Sequence, residues 1–326
     1  MPPDRLRVAL LGEGPAAERW AAALAGEATV WHGHNGVLDA LVVAPGAGDA
    51  FARVREALAA GVPVLYAAPF LFSPWQAAVL EALSRRQGCL LRIAEPFQYQ
   101  GGFRFLARLT RGREPLWKLR YVRTTSLAAP GAGQRIDELA VEDLAMCQAL
   151  LDGQPSSVTA AAARRDELGD VCALFLTVAY PHGPVAQCTV SLAEGRSSRQ
   201  LVAVTPSRTV VLDDAAPLQI RANAPGSARA SRIISVPGGD AHAEEARRFL
   251  EAVTTGDRSL ANGARWVRVA ALWWAARQSM SFGGAVEAPA PAVALAQTEP
   301  PPLRVIEGGG RVTRTAKRPA LTLIAS

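Results

Sequence analysis

Three places in this chain have residue types and spacing that could do chemistry. The first is Gly12-Glu13-Gly14-Pro15-Ala16-Ala17, which follows the apolar run Arg5–Leu11 and precedes a helical pattern, Ala16–Leu24. Strand, glycine turn and helix in that order, with GxGxxA spacing, suit a dinucleotide. Gly12 makes the tight turn, Gly14 lets a diphosphate approach the backbone, and Ala17 is small enough for helix to pack on strand. The second is the pair Glu138 and Glu142, four apart on one helical face, where neighbouring carboxylates can raise one pKa toward neutrality and move protons. The third is the strand end from Gly61 to Pro69, in which Tyr66 shares its side with Ala68 and offers a phenolic proton. These residues also have plain structural uses, since first-turn carboxylates favour a helix dipole and a tyrosine at a strand end packs. Lysine chemistry has little room, because Lys118 and Lys317 are the only lysines.

The elements that must position these groups read as follows. Glu27–Trp31 and Leu38–Pro45 are strands, with His32-Gly33-His34-Asn35 between them where an acidic residue would ordinarily meet the ribose of NAD. Those two histidines suit a solvated turn or a contact to an adenosine phosphate. No room exists here for the helix and strand that a full doubly wound half would insert. Ala50–Ala60 and Pro74–Gln87 read as helices alternating with strands Val62–Ala67 and Cys89–Ala94, which implies a parallel sheet with right-handed crossovers. Beyond Leu116, strands Trp117–Ser126, Ser157–Ala163, Val171–Tyr180, Val185–Leu192, Leu201–Val204, Thr209–Leu212 and Leu218–Ala222 imply a largely antiparallel sheet. Helices Glu138–Leu151, Ala243–Thr254 and Arg265–Met280 accompany them, and Glu194–Arg199 reads as a solvated hairpin turn. The fold class is therefore α/β: a shortened Rossmann-like parallel sheet over 1–115, an α+β unit with a large, mostly antiparallel sheet over 116–287, and an Ala/Pro-rich linker with a basic tail over 288–326.

Composition narrows the function classes. Of 326 residues 49% are hydrophobic and 20% charged, as a globular chain with a large core requires. The net charge of +6 is divided: the tail from Ala288 has five basic and two acidic residues, leaving +3 dispersed over the body. Without a basic stripe interleaved with aromatics, no nucleic-acid partner is expected. No apolar run reaches membrane length and no secretory signal opens the chain, so a cytoplasmic protein with no membrane partner is expected. Cys89, Cys147, Cys172 and Cys188 lack ligand spacing and read as reduced thiols, with no metal site.

The order of these pieces resembles the Gfo/Idh/MocA family of NAD(P)-dependent oxidoreductases over about Arg5 to Glu287. Asp39–Pro45 is similar to that family's "DAVVIATP" strand, Ala57–Leu65 to its "ALEAGKHVL" segment, Glu244–Leu250 with Val253 and Gly256 to its late helix, and Ser279 to Glu287 to its terminal motif. The resemblance implies NAD or NADP as cofactor, with Pro45 and Pro69 joining Gly12, Gly14 and Ala17 around it. It implies substrate contacts at Glu95, Gln98 and Asp143, and a homo-oligomer formed through the open sheet. The departures fall on chemistry. The lysine of the family's "VLCEKP" motif is Ala68 here. In its "D-x-G-x-H-D-x-D" helix motif, Glu138 stands for the first aspartate, Glu142 for the histidine and Ala145 for the last aspartate; Asp143 alone persists.

Two functional readings follow. In one, the chain is a degenerate member, a non-catalytic partner or regulatory subunit in which cofactor binding is weak or lost. In the other, it is an active NAD(P)H-dependent imine or ketone reductase of a biosynthetic pathway, taking a small-molecule substrate and using Glu138, Glu142 or Tyr66 in place of the usual groups. The segments Leu303–Glu307 and Ala320–Ala325 can add to a sheet edge, in this chain or in a protein partner, or remain a disordered tail.

Overall fold

The apolar runs of the first hundred residues are hydrophobic at consecutive rather than alternate positions, as a strand covered on both faces demands. The computed structural model, which describes residues 5–32, 38–111, 118–131, 133–151, 153–164, 170–181, 183–224, 231–287 and 305–306, places them accordingly. Strands β1 (Leu6–Leu11), β2 (Ala28–His32), β3 (Ala40–Val43), β4 (Val64–Tyr66) and β5 (Leu91–Ile93) form a parallel sheet in the order β2-β1-β3-β4-β5. β3, β4 and β5 are buried at every residue. Helices α1 (Pro15–Ala25), α2 (Ala50–Ala59) and α3 (Pro74–Gln87) supply crossovers. β2 passes to β3 without a helix among the described residues, so the sheet is shortened as the sequence implies. Residues 33–37, which include His34, lie outside the described residues.

The second sheet has ten strands and is antiparallel except between β6 (Tyr121–Leu127) and β9 (Val185–Ser191). Its remaining strands are β7 (Ser157–Arg164), β8 (Val171–Ala179), β10 (Ser198–Val204), β11 (Thr209–Asp213), β12 (Gln219–Asn223), β13 (Arg232–Ser235), β14 (Ala285–Glu287) and β15 (Val305–Ile306). β15 pairs antiparallel with β14 at the sheet's end, so one tail segment does add to the sheet of its own chain. The rest of the tail, including 320–325 and Lys317, lies outside the described residues. Helices α4 (Gly101–Arg111), α5 (Ile136–Leu151), α6 (Ala241–Thr255) and α7 (Gly263–Phe282) complete the architecture. The sequence reading missed α4, whose two leading glycines disguise its periodicity, and β13.

α5 lies on the second sheet with eleven of its sixteen residues buried. α6 packs on α1, while α7 touches α3, α5 and β7, so the two last helices tie one sheet to the other. No described helix is long and apolar enough to cross a membrane.

The tie is made by buried charge. Arg92 on β5 donates from Nε to Glu245 Oε1 of α6 (2.9 Å), and its Nη1 lies 3.5 Å from Glu95 Oε2. The Glu95 backbone N–H donates to both Glu245 oxygens at 3.0 and 2.9 Å. Asn262, just before α7, takes the Ile93 N–H on Oδ1 and returns Nδ2 to the Ile93 carbonyl, each at 2.8 Å, which satisfies the free edge of the parallel sheet. Arg265 closes the cluster on Glu95. Removing one member of a buried pair strands its partner's charge, at a cost of about 3–5 kcal/mol. Arg92→Met should therefore lower unfolding free energy in denaturant titration by about that amount; a loss below about 1 kcal/mol would show that the network carries no net stability.

Candidate functional site

A cleft opens where the carboxyl ends of the parallel strands face α5. In open α/β sheets this is the edge at which ligands settle, because successive loops diverge there. Its smaller cavity, about 260 Å³, is walled by Pro45 after β3, by Ala67, Ala68 and Pro69 after β4, by Ala94 and Pro96 after β5, by Arg19 and Trp20 of α1, by Glu138 and Glu142 of α5, and by His242 and Trp266. Trp266 is buried, and its Nε1–H has no partner among the described residues. His242 sits in the first turn of α6, packed edge-on against Trp20 at 5.2 Å between ring centroids. Burial first, and the Arg19 guanidinium second, hold its imidazole below the usual pKa.

The glycine turn divides its two roles. Gly12 has φ +130°, and a Cβ there would lie 2.6 Å from the Pro45 carbonyl, so this glycine serves the close passage of the loop after β3. Gly14, at φ +81° as the N-cap of α1, has nothing within 4 Å of a Cβ. Pro15 follows at the first helical position and lacks an N–H, which leaves Ala16 and Ala17 as the first-turn donors. Open space before an uncapped helix N-terminus fits a diphosphate. Ala17 is buried on the inner face of α1, where a small side chain lets the helix pack closely.

The larger cavity, about 530 Å³, continues past Glu142 into the second sheet. Its apolar side includes Phe97, Phe103, Leu139, Met146 and Leu212; its polar side includes Ser126, Arg199, Asp213 and Asp214. Arg199 is the hub. It contacts Glu142 through Nη1 (2.8 Å) and Nη2 (2.9 Å), donates Nε to Ser126 Oγ (3.0 Å), and lies 3.9 Å from Asp143 Oδ1. Ser126 in turn donates to Asp143 Oδ1 at 2.8 Å. Asp143 is fully buried. Desolvation pushes its carboxyl up to about 6, against the pull of Arg199 and the Ser126 hydrogen bond.

The residues singled out from sequence divide into those in the cleft and those behind it. Glu138, Glu142, Pro45, Pro69 and Ala68 line it, and Asp143 lies directly under its floor. The Glu138 carboxyl is raised, first by burial and then by Asp137; Glu142 is not the cause, so the expected coupling of the two carboxylates is replaced by a different neighbour. Tyr66 does not line the cleft. It is buried against Phe70 and Phe72, its hydroxyl reaches the Pro69 carbonyl at 3.4 Å, and desolvation pushes it up to about 12. That is a packing role in place of the expected proton donor. Glu95 is likewise fully buried in the Arg92 cluster, with Gln98 donating to it, so these two expected substrate contacts serve the fold. Lys118 is exposed ahead of β6.

Arg199 and His242 are the residues the sequence reading missed. Arg199 was expected in a solvated turn, but β10 already begins at Ser198, and register pairs Arg199 with Ser126 on the face that also carries Leu201 and Ala203. Extending the alternation of Leu201 and Ala203 back by two residues would have turned Arg199 inward. For His242 the signal was Asp240, whose carboxylate accepts from the His242 and Ala243 N–H groups and fixes the histidine in the first turn of α6.

No protein-family model and no curated protein sequence matches the chain. Solved structures do match in fold. UDP-N-acetylglucosamine 3-dehydrogenase GnnA from Acidithiobacillus ferrooxidans superposes with a TM-score of 0.74 at 18% identity, covering 85% of this chain and 97% of its own. GenD2 from gentamicin A biosynthesis, solved with NAD, gives 0.73 at 19% identity over 88% and 97%. Levoglucosan dehydrogenase, solved with NADH and L-sorbose, gives 0.75 at 12% identity over 88% and 99%. These neighbours are NAD(P)-dependent oxidoreductases of the Gfo/Idh/MocA type, and their fold is the one the resemblance implied. At such identities the likeness is one of fold.

The raised Asp143 carboxyl makes a pH-dependent prediction. A carboxyl at about 6 when folded, against 3.8 in the unfolded chain, favours folding while protonated; that contribution is present below 3.8 and is lost as pH rises through 6. Asp143→Asn lacks the titration. Its stability relative to the parent protein should therefore improve by about 3 kcal/mol between acid and neutral pH. Urea titrations of both proteins across that range test this, and parallel pH profiles would show that Asp143 titrates as in water.

Proposed function

We propose that the chain is a nicotinamide-nucleotide-dependent reductase whose proton handling has moved from the strand-end position Ala68 to the α5 and α6 side of the cleft. The supporting observation is convergence. The start of α1 at Ala16, directly after the open glycine turn, the carboxyl ends of β3, β4 and β5, and a cluster of ionisable groups bound two cavities that share Phe97, Gln134, Leu139 and Glu142. In this reading Gly14, Ala16 and Ala17 hold a diphosphate, and Pro45, Ala68, Pro69 and Trp266 shape the space beyond it. The bound nucleotide supplies a hydride. The chain's own residues then orient the acceptor and exchange its proton. Glu142 is 42% exposed and held by both Arg199 amines, so it is a fixed carboxylate open to the cleft. His242, uncharged at neutral pH, can accept or relay a proton. Solved neighbours that carry NAD, NADP or NADH support the nucleotide assignment.

A second reading, a non-catalytic partner or regulatory subunit, has one specific observation in its favour. Ala68 lines the cleft where the family resemblance puts a lysine, and the described cleft walls hold none in its stead.

Titrating NADPH and NADH into the purified protein and following nicotinamide fluorescence separates the readings. Micromolar binding that falls at least about tenfold in Gly14→Val supports the reductase. No binding at millimolar nucleotide would sink it. With binding in hand, His242→Ala should lower the turnover number and flatten its pH profile while leaving nucleotide affinity within about twofold.

A further inference from the structure

The larger cavity has a sign of charge. Four charged side chains line it: Glu142, Arg199, Asp213 and Asp214. Arg199, the one cation among them, is already committed, with Nη1 and Nη2 on Glu142 and Nε on Ser126. Asp213 accepts from Arg221 Nη2 at 2.9 Å and from Gln200 Nε2 at 3.2 Å. The Asp214 backbone N–H donates to the Arg199 carbonyl at 3.0 Å while its carboxylate acts on the Arg199 guanidinium through space, and Asp143 lies buried beneath. The carboxylates therefore exceed the cations, and no described guanidinium on the wall is left to fork onto a carboxylate or phosphate. Phe97, Leu139, Met146 and Leu212 line the same cavity. An anion entering here would face carboxylates, whereas a cation would complete their pairing.

We propose that the larger cavity takes a cationic, partly apolar small molecule, and that the group reduced is a carbon–nitrogen double bond carried as its cation. This deepens the reductase reading and rests on it. The chemistry suits the cleft. A hydride from a reduced nicotinamide nucleotide forms the new C–H bond, the π pair of C=NH⁺ moves onto nitrogen, and a neutral amine results that takes its proton from water relayed by His242. A carbonyl would instead leave an alkoxide needing a proton at once, at the side of the cleft where Ala68 offers none. Excess carboxylate stabilises the cationic acceptor when it binds, and the acidic side has no uncommitted donor fork for a nucleotide-sugar diphosphate.

The test uses the intact protein and three bicyclic probes of similar shape: N-methyl-dihydroisoquinolinium, a fixed cation; tetralone, neutral; and naphthoate, an anion. Calorimetry should find the cation bound at least about tenfold tighter than tetralone and naphthoate weakest, with the preference shrinking in Asp214→Asn and at high salt. Equal or tighter binding of tetralone or naphthoate would overturn the proposal, as would a preference that Asp214→Asn and salt leave untouched. NADPH consumption should then follow addition of the cation. Reduction of tetralone but not of the cation would overturn the proposal while leaving the reductase reading intact. Tight binding of both cation and NADPH without consumption would overturn the carbon–nitrogen step. Cation binding without any NADPH binding would remove the reductase reading and that step, leaving the charge assignment standing.

Discussion

The end of β5 is where this molecule is held together. A parallel edge strand presents unpaired backbone groups, and the cleft needs that strand's carboxyl end fixed within about an ångström to shape a binding wall. Asn262 meets the first need by pairing with both polar groups of Ile93, in the manner of one more strand. Arg92, Glu95, Glu245 and Arg265 meet the second by bringing four charges together out of water. Such clusters contribute little net stability compared with apolar packing, but they tolerate few alternative geometries. Their yield here is register: α6 and α7 dock on the parallel sheet in one way. That docking sets His242 and Trp266 into the cleft.

The Arg199 cluster does for the second sheet what the Arg92 cluster does for the first. Ser126 and Arg199 are cross-strand partners on β6 and β10, and α5 lowers Glu142 and Asp143 onto them. Here, though, the compensation is incomplete. Asp143 is buried with one hydrogen-bonded oxygen, and burial outweighs Arg199 in setting its proton affinity. Glu142 keeps its face to the cavity. A cluster built for stability alone would have given each carboxylate its own cation; here Glu142 takes both Arg199 amines and Asp143 shares the same guanidinium at 3.9 Å, which leaves excess negative charge beside an apolar wall. Incomplete compensation at a cavity is a mark of ligand chemistry, since a bound group can supply what the protein withholds.

Sequence periodicity was enough for the architecture, because buried parallel strands, amphipathic helices and alternating strands each leave their own period. It was enough too for the shortened first sheet, since seven residues between β2 and β3 leave no room for a helix. Position was legible in part: Gly12 and Gly14 take the positive φ that the glycine turn implies, and Pro45, Pro69, Glu138 and Glu142 line the cleft. Side-chain chemistry was not. Glu95 and Tyr66 look like site residues by position, yet Glu95 completes a buried ion cluster whose partners Glu245 and Arg265 arrive more than a hundred residues later, and Tyr66 packs in an aromatic cluster with the nearby Phe70 and Phe72. Arg199 was lost through parity: a strand start placed three residues late left it in solvent.

The loss of lysine at Ala68 therefore has to be weighed with groups that no local motif reveals. A strand-end lysine in such a cleft would bring a cation to the substrate. This cleft has removed that cation and kept carboxylates at Glu138, Glu142, Asp213 and Asp214, with an uncharged histidine among them. If drift alone had emptied the site, there would be no reason for Arg199 to stay fully engaged, for Asp143 to stay buried beneath it, or for the space at Gly14 to stay open. Two of the departures share a direction: Ala68 in place of a lysine and Glu142 in place of a histidine each remove positive charge or a proton from the substrate's side. A substrate that brings its own positive charge needs neither, and the same residues that make this protein look like an emptied oxidoreductase then describe one fitted to a different electrophile.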